Sequence, residues 1–108
     1  MMLEGYADSH QHPVEPVIPS PMLKKIMAAT NQLGANTLCH CYGDGAVRAY
    51  LDAVEATADS NTGVRHIISH AMYIDDADLF RIAKDNVTIQ FSAQWATPEQ
   101  TKFPFICL

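Results

Sequence analysis

Apolar residues recur at helical spacing in three stretches of the chain and form short continuous runs in three others, and the two kinds alternate. Met22, Leu23, Ile26, Met27, Thr30 and Leu33 repeat every three or four residues, the spacing that lines one face of a helix. Ser20-Pro21 ahead of them reads as an N-cap followed by proline at the first helical position, where its missing N–H costs nothing. Gly34 supplies a left-handed stop. A short strand is expected over 37–41. Gly43-Asp44-Gly45 then makes a turn whose aspartate can cap a second helix, along which Val47, Leu51, Val54 and Ala58 form a stripe with Tyr50 on its flank.

Residues 59–63, Asp-Ser-Asn-Thr-Gly, have the composition of a loop, and 64–70 follow as a second strand. Asp75 is placed to cap a third helix. Asp76 and Asp78 sit against the positive end of its dipole, and Ile74 is positioned to staple onto Leu79. This helix should run to about Lys84, with Asn86 closing it. The β-branched and aromatic residues over 87–92 predict a third strand. Thr97-Pro98-Glu99 can open another short helix, which Pro104 soon interrupts. Residues 1–19 show no periodicity and read as an irregular leading segment.

The order helix, strand, helix, strand, helix, strand has units of roughly 25 to 30 residues, the size at which crossover helices join parallel strands. The fold class is therefore α/β. Periodicity leaves two architectures open, a doubly wound sheet or a segment of a β/α barrel.

Composition narrows the function classes. The chain has 108 residues, 48% of them hydrophobic, and a mean hydropathy of −0.04, the makeup of a globular unit. Its formal net charge is −5 and its seven Lys and Arg are scattered, so there is no basic stripe for nucleic acid. No apolar run approaches the roughly 20 residues needed to cross a bilayer, and a soluble, cytoplasmic protein is expected. The three cysteines cannot all pair internally, and Cys39 and Cys41 read as buried reduced thiols. Cys39-His40-Cys41 lacks the spacing usual in structural zinc sites.

The candidate chemistry lies in the histidines. His40 and His70 both fall at the carboxyl edge of predicted strands, and both possible architectures gather functional groups at the carboxyl ends of parallel strands. Neighbouring strands lie about 4.8 Å apart, so their end residues can aim two imidazoles at one point. Neutral imidazole is a good ligand for zinc and similar ions. Either histidine can equally serve as an ordinary hydrogen-bonded residue.

The segment His40-Cys41-Tyr42-Gly43-Asp44-Gly45-Ala46-Val47 resembles the His-Ala-Ile-Gly-Asp-X-Ala-Val segment of the YtcJ-like amidohydrolases, and Ile68-Ser69-His70-Ala71 resembles that family's Ile-Glu-His-Ala. Phe91-Ser92-Ala93-Gln94-Trp95 looks like the polar segment ending its next strand. The resemblance covers most of 38–95 and implies a β/α barrel, a hydrolase of amide-type bonds, and a divalent metal, zinc by expectation, that activates water. His40 would match the metal ligand after strand five and His70 the one after strand six. Asp44 also matches a family position, and helix capping explains it adequately. Ser69 stands where the family has glutamate, and Cys41 and Tyr42 replace smaller or aliphatic residues.

The family also uses a His-X-His pair after strand one, a bridging residue after strand four and an aspartate after strand eight, for which this chain has no secure counterpart. His10-Gln11-His12 looks locally like the His-X-His pair, but only one helix separates it from His40. A full barrel takes about 250 residues. The chain is therefore expected to be a slice of a barrel, about strands five to seven, inactive alone. Its two sheet edges and uncovered apolar faces should drive it to a homo-oligomer, with a small-molecule substrate belonging to the parent enzyme. Two alternatives stand beside this: a non-catalytic α/β interaction module, and a compact metal-binding module using His10, His12, His40 and His70.

Overall fold

A computed structural model describes residues 1–3 and 15–92 of the chain. The expected helix after Thr97 lies outside the described residues, as do His10 and His12. Helix α1 spans Ser20–Gln32, strand β1 Leu38–Cys41, helix α2 Asp44–Ala56, a 3₁₀ turn Ala58–Ser60, strand β2 Ile67–His70, helix α3 Asp76–Lys84 and strand β3 Thr88–Gln90. The three strands form one parallel sheet in the order β1-β2-β3. This is an α/β segment of the kind found in β/α barrels, with α2 and α3 as the crossovers.

The sheet uses its alternation to choose a covered face. Leu38 pairs with Ile67, Cys39 with Ile68 and Cys41 with His70. Cys41 and Ile68 are buried with Val47, Tyr50, Leu51, Ala53 and Val54 of α2, and Cys39 and Ile89 pack against the same cluster. Leu38, one residue out of phase with Cys39, is 50% exposed. The helices thus cover the Cys39, Cys41 and Ile68 face, as the period of two along a strand requires.

Helix boundaries follow local chemistry, with three corrections. Pro19 rather than Ser20 is the N-cap of α1, because the Pro19 carbonyl takes the amides of Met22 (2.9 Å) and Leu23 (3.0 Å) and leaves a serine hydroxyl nothing to satisfy. Gly43 is the N-cap of α2 and Asp44 its first residue; the Asp44 carboxylate accepts the amides of Leu3 (2.9 Å) and Gly45 (2.7 Å). A Cβ on Gly43 would collide with the Met1 carbonyl, whose oxygen also accepts from the Ala46 amide at 3.2 Å. The second helix stops at Ala56, leaving Ala58 in the 3₁₀ turn, and Thr57 Oγ1 donates to the Ala53 carbonyl at 2.8 Å.

Elsewhere the expected signals operate. Gly34 takes a left-handed φ of 66° after α1, and Asn86 takes 55° after α3. Asp75 caps α3 by accepting the Ala77 amide at 2.9 Å. Ile74 packs against the core, whereas Leu79 is left half exposed. Of the six residues expected on the stripe of α1, Leu23 and Met27 are buried, and Met22, Ile26 and Leu33 are exposed. Among the described residues, helix α1 packs chiefly on α2 and the 3₁₀ turn, and one side of its wide stripe is left exposed.

Candidate metal centre

His40 and His70 sit at the carboxyl edge of the sheet, on adjacent parallel strands. Register alone would keep them apart. His40 pairs with Ser69, and His70 pairs with Cys41, whose side chain enters the helix-covered core. A regular strand would therefore send His70 to the face opposite His40. The backbone breaks that regularity: His70 has φ 76° and Ala71 φ 43°, left-handed values at two successive residues that are not glycine. Each costs on the order of 1–2 kcal/mol. The turn is held by the Ala71 amide donating to the Cys41 carbonyl at 3.1 Å.

The turn brings the two rings together. His40 Nδ1 lies 2.6 Å from His70 Nε2, a hydrogen bond in which one nitrogen carries the proton and the other accepts it. The ring centroids are 4.7 Å apart with 28° between planes. Tyr42 also stacks on His70, at 4.6 Å and 19°. His70 Nδ1 lies 2.9 Å from Ser92 Oγ, two residues beyond β3. All three strands thus contribute to one cluster.

Two imidazole nitrogens bound to a single tetrahedral zinc stand roughly 3.3 Å apart, given metal to nitrogen distances of about 2.0 to 2.1 Å. The observed separation is within 1 Å of that. The donors are of a suitable kind, they converge, and the second nitrogen of His70 is already engaged by a hydroxyl, so the pair fits part of a metal site. Among the described residues there is no group of three or more His, Cys, Asp or Glu that could hold an ion.

The chain is similar to an uncharacterized metal-dependent hydrolase from Pyrococcus furiosus, with a TM-score of 0.76 and 26% sequence identity. The likeness covers 88% of this chain and 19% of that chain. The protein described here thus spans less than a fifth of the length of the chain it matches. No family model and no curated protein matches it.

The other candidates fall elsewhere. Asp44 spends its carboxylate on two backbone amides at the start of α2. Cys39 and Cys41 are both free thiols. A hydrogen bond from Cys41 holds the Cys39 thiol down to about 7, while the same bond and burial push the Cys41 thiol up. A half-open cavity of about 500 Å³ runs along the β1 edge past Leu38, Cys39, His40 and Tyr42, reaching Val17 and Tyr50. Among the described residues, no helix is long and apolar enough to cross a membrane.

Sequence reasoning left Ser92 and Tyr42 without roles. Ser92 closes the third predicted strand as His70 closes the second, with His40 one residue from the end of the first, and that shared edge was a usable signal. Nothing in the sequence marks Tyr42 as a partner of a residue 28 positions on, because the contact depends on the left-handed turn at His70.

Proposed function

We propose that this chain carries part of the metal site of a hydrolase acting on carbon–nitrogen bonds of the amide type, of the YtcJ-like amidohydrolase kind, with His40 and His70 as two of the ligands. The convergence of His40 Nδ1 and His70 Nε2 at the ends of adjacent parallel strands is the observation that carries it. The likeness to a metal-dependent hydrolase supports it at the level of the fold. In this reading the three strands correspond to strands five to seven of a β/α barrel, and a small-molecule substrate is met only by the complete enzyme.

The metal, zinc by preference, would supply Lewis acidity and a water of lowered pKa next to the scissile carbonyl. The residues of this chain do the holding. His40 and His70 present neutral nitrogens from two strands of one rigid sheet, which keeps their separation within a narrow range. Among the described residues, two imidazoles leave a tetrahedral ion short of the three protein ligands usual in catalytic sites. The 108-residue chain is therefore expected to bind zinc weakly and to turn over no substrate.

Zinc titration by calorimetry, paired with assays on broad amide and ester substrates, tests this. Weak zinc binding lost in both His40→Ala and His70→Ala, with no turnover, is the expected result. Zinc uptake unchanged by either substitution would overturn the ligand assignment. Chelator-sensitive turnover abolished by both substitutions would overturn the claim of inactivity.

A further inference from the structure

The ring of His70, at the end of β2, is engaged by groups from the two flanking strands and their ends. Tyr42, just past the end of β1, stacks on it at 4.6 Å; His40, from within β1, stacks at 4.7 Å and meets Nε2; Ser92, beyond β3, meets Nδ1 at 2.9 Å. Its backbone sits in a left-handed conformation that a histidine adopts only at a cost. A conformation of that kind persists when its surroundings determine it. Here the surroundings include one hydrogen bond to the backbone of β1 and one to Ser92.

We infer that Ser92 and Tyr42 are positioning residues that preset His70 as an Nε2 ligand, Ser92 by fixing its tautomer and Tyr42 by fixing its ring plane. The inference rests on the metal-site reading above and deepens it. In this assignment the Ser92 hydroxyl, which can donate or accept, accepts from the Nδ1–H of His70, so the lone pair is left on Nε2, where it accepts the Nδ1–H of His40. Without that acceptor either tautomer is open to the ring, and the Nε2–H form cannot bind a cation through Nε2. Tyr42 limits rotation about the terminal side-chain torsion, which is otherwise broad for histidine. Hydrogen-bond partners of this type commonly alter metal affinity by 10- to 100-fold when removed.

The tautomer can be observed in the metal-free chain by ¹⁵N side-chain NMR of His70, and zinc affinity can be followed by calorimetry on the same samples. The expected result is an Nδ1–H tautomer in the unaltered protein, loss of that preference in Ser92→Ala, and its return in Ser92→Thr, which keeps the hydroxyl. Zinc should bind about 10- to 100-fold more weakly to Ser92→Ala. The ring-current shifts of the His70 protons should survive in Tyr42→Phe and shrink in Tyr42→Leu. A His70 tautomer that is Nε2–H, or that is the same in Ser92→Ala, overturns the role of Ser92. Ring shifts equal in Tyr42→Leu and Tyr42→Phe overturn that of Tyr42. Should the unaltered chain bind no zinc while the tautomer follows Ser92, the ligand reading fails and the positioning of His70 stands.

Discussion

Single residues in this chain act mainly through backbone they lie close to or distort. Gly43 has an ordinary extended φ, so its lack of a side chain matters only because the Met1 carbonyl occupies the space a Cβ would need. Gly43→Ala must displace the first residues from the start of α2, and a loss of about 1–3 kcal/mol is expected from urea unfolding. Unchanged stability would show that residues 1–3 are not packed there. His66 supplies a pH dependence. It is buried at 2% exposure before β2, its Nδ1 accepts the Thr37 amide at 3.2 Å, and burial holds its pKa below the ordinary value of 6.5. The native state therefore keeps His66 neutral where the unfolded chain takes up a proton, and stability must fall as pH drops below about 6.5 through the lower native value. Urea midpoints measured from pH 7 downward should fall less steeply in His66→Gln than in the unaltered chain. Equal slopes would remove His66 from the account.

Between elements, the joint of α2 and α3 is ionic. Asp78 is 1% exposed and receives Arg48 Nε at 2.9 Å and Arg81 Nη1 at 2.8 Å, while Arg81 also reaches Glu55 (2.9 Å) and Asp52 (2.6 Å) of α2. Arg81 holds the Glu55 carboxyl below the usual carboxylate range. The sequence marks Asp78 as a first-turn acid favoured by the helix dipole, but tertiary packing makes it the anchor of two cations. Asp78→Ala leaves both guanidinium groups without their buried partner. Since each retains some access to water, the expected cost is roughly 2–3 kcal/mol, below that of a fully buried pair. A change under about 0.5 kcal/mol in urea unfolding, the size usual at open surface sites, would contradict this.

Among the described residues, β1 and β3 are the two edges of the sheet, and exposed apolar side chains lie in or just past each: Leu38 in β1 and Phe91 after β3. Unpaired parallel edges beside such residues favour association. Light scattering on the purified chain is expected to give a dimer or larger species, and a monodisperse monomer would refute both this and the interaction-module alternative.

Element order, the three strands, the left-handed stops at Gly34 and Asn86 and the Asp75 cap were all legible because caps and periodicities act over about four residues. The location of His40 and His70 at strand ends was legible for the same reason. What the residues do together was not. The His40–His70, His70–Ser92 and Leu3–Asp44 hydrogen bonds span 30, 22 and 41 positions. No local pattern encodes such distances. Strand alternation even pointed His70 to the wrong face, and only a left-handed turn, stabilised by groups from β1 and from Ser92 beyond β3, brings its ring onto His40.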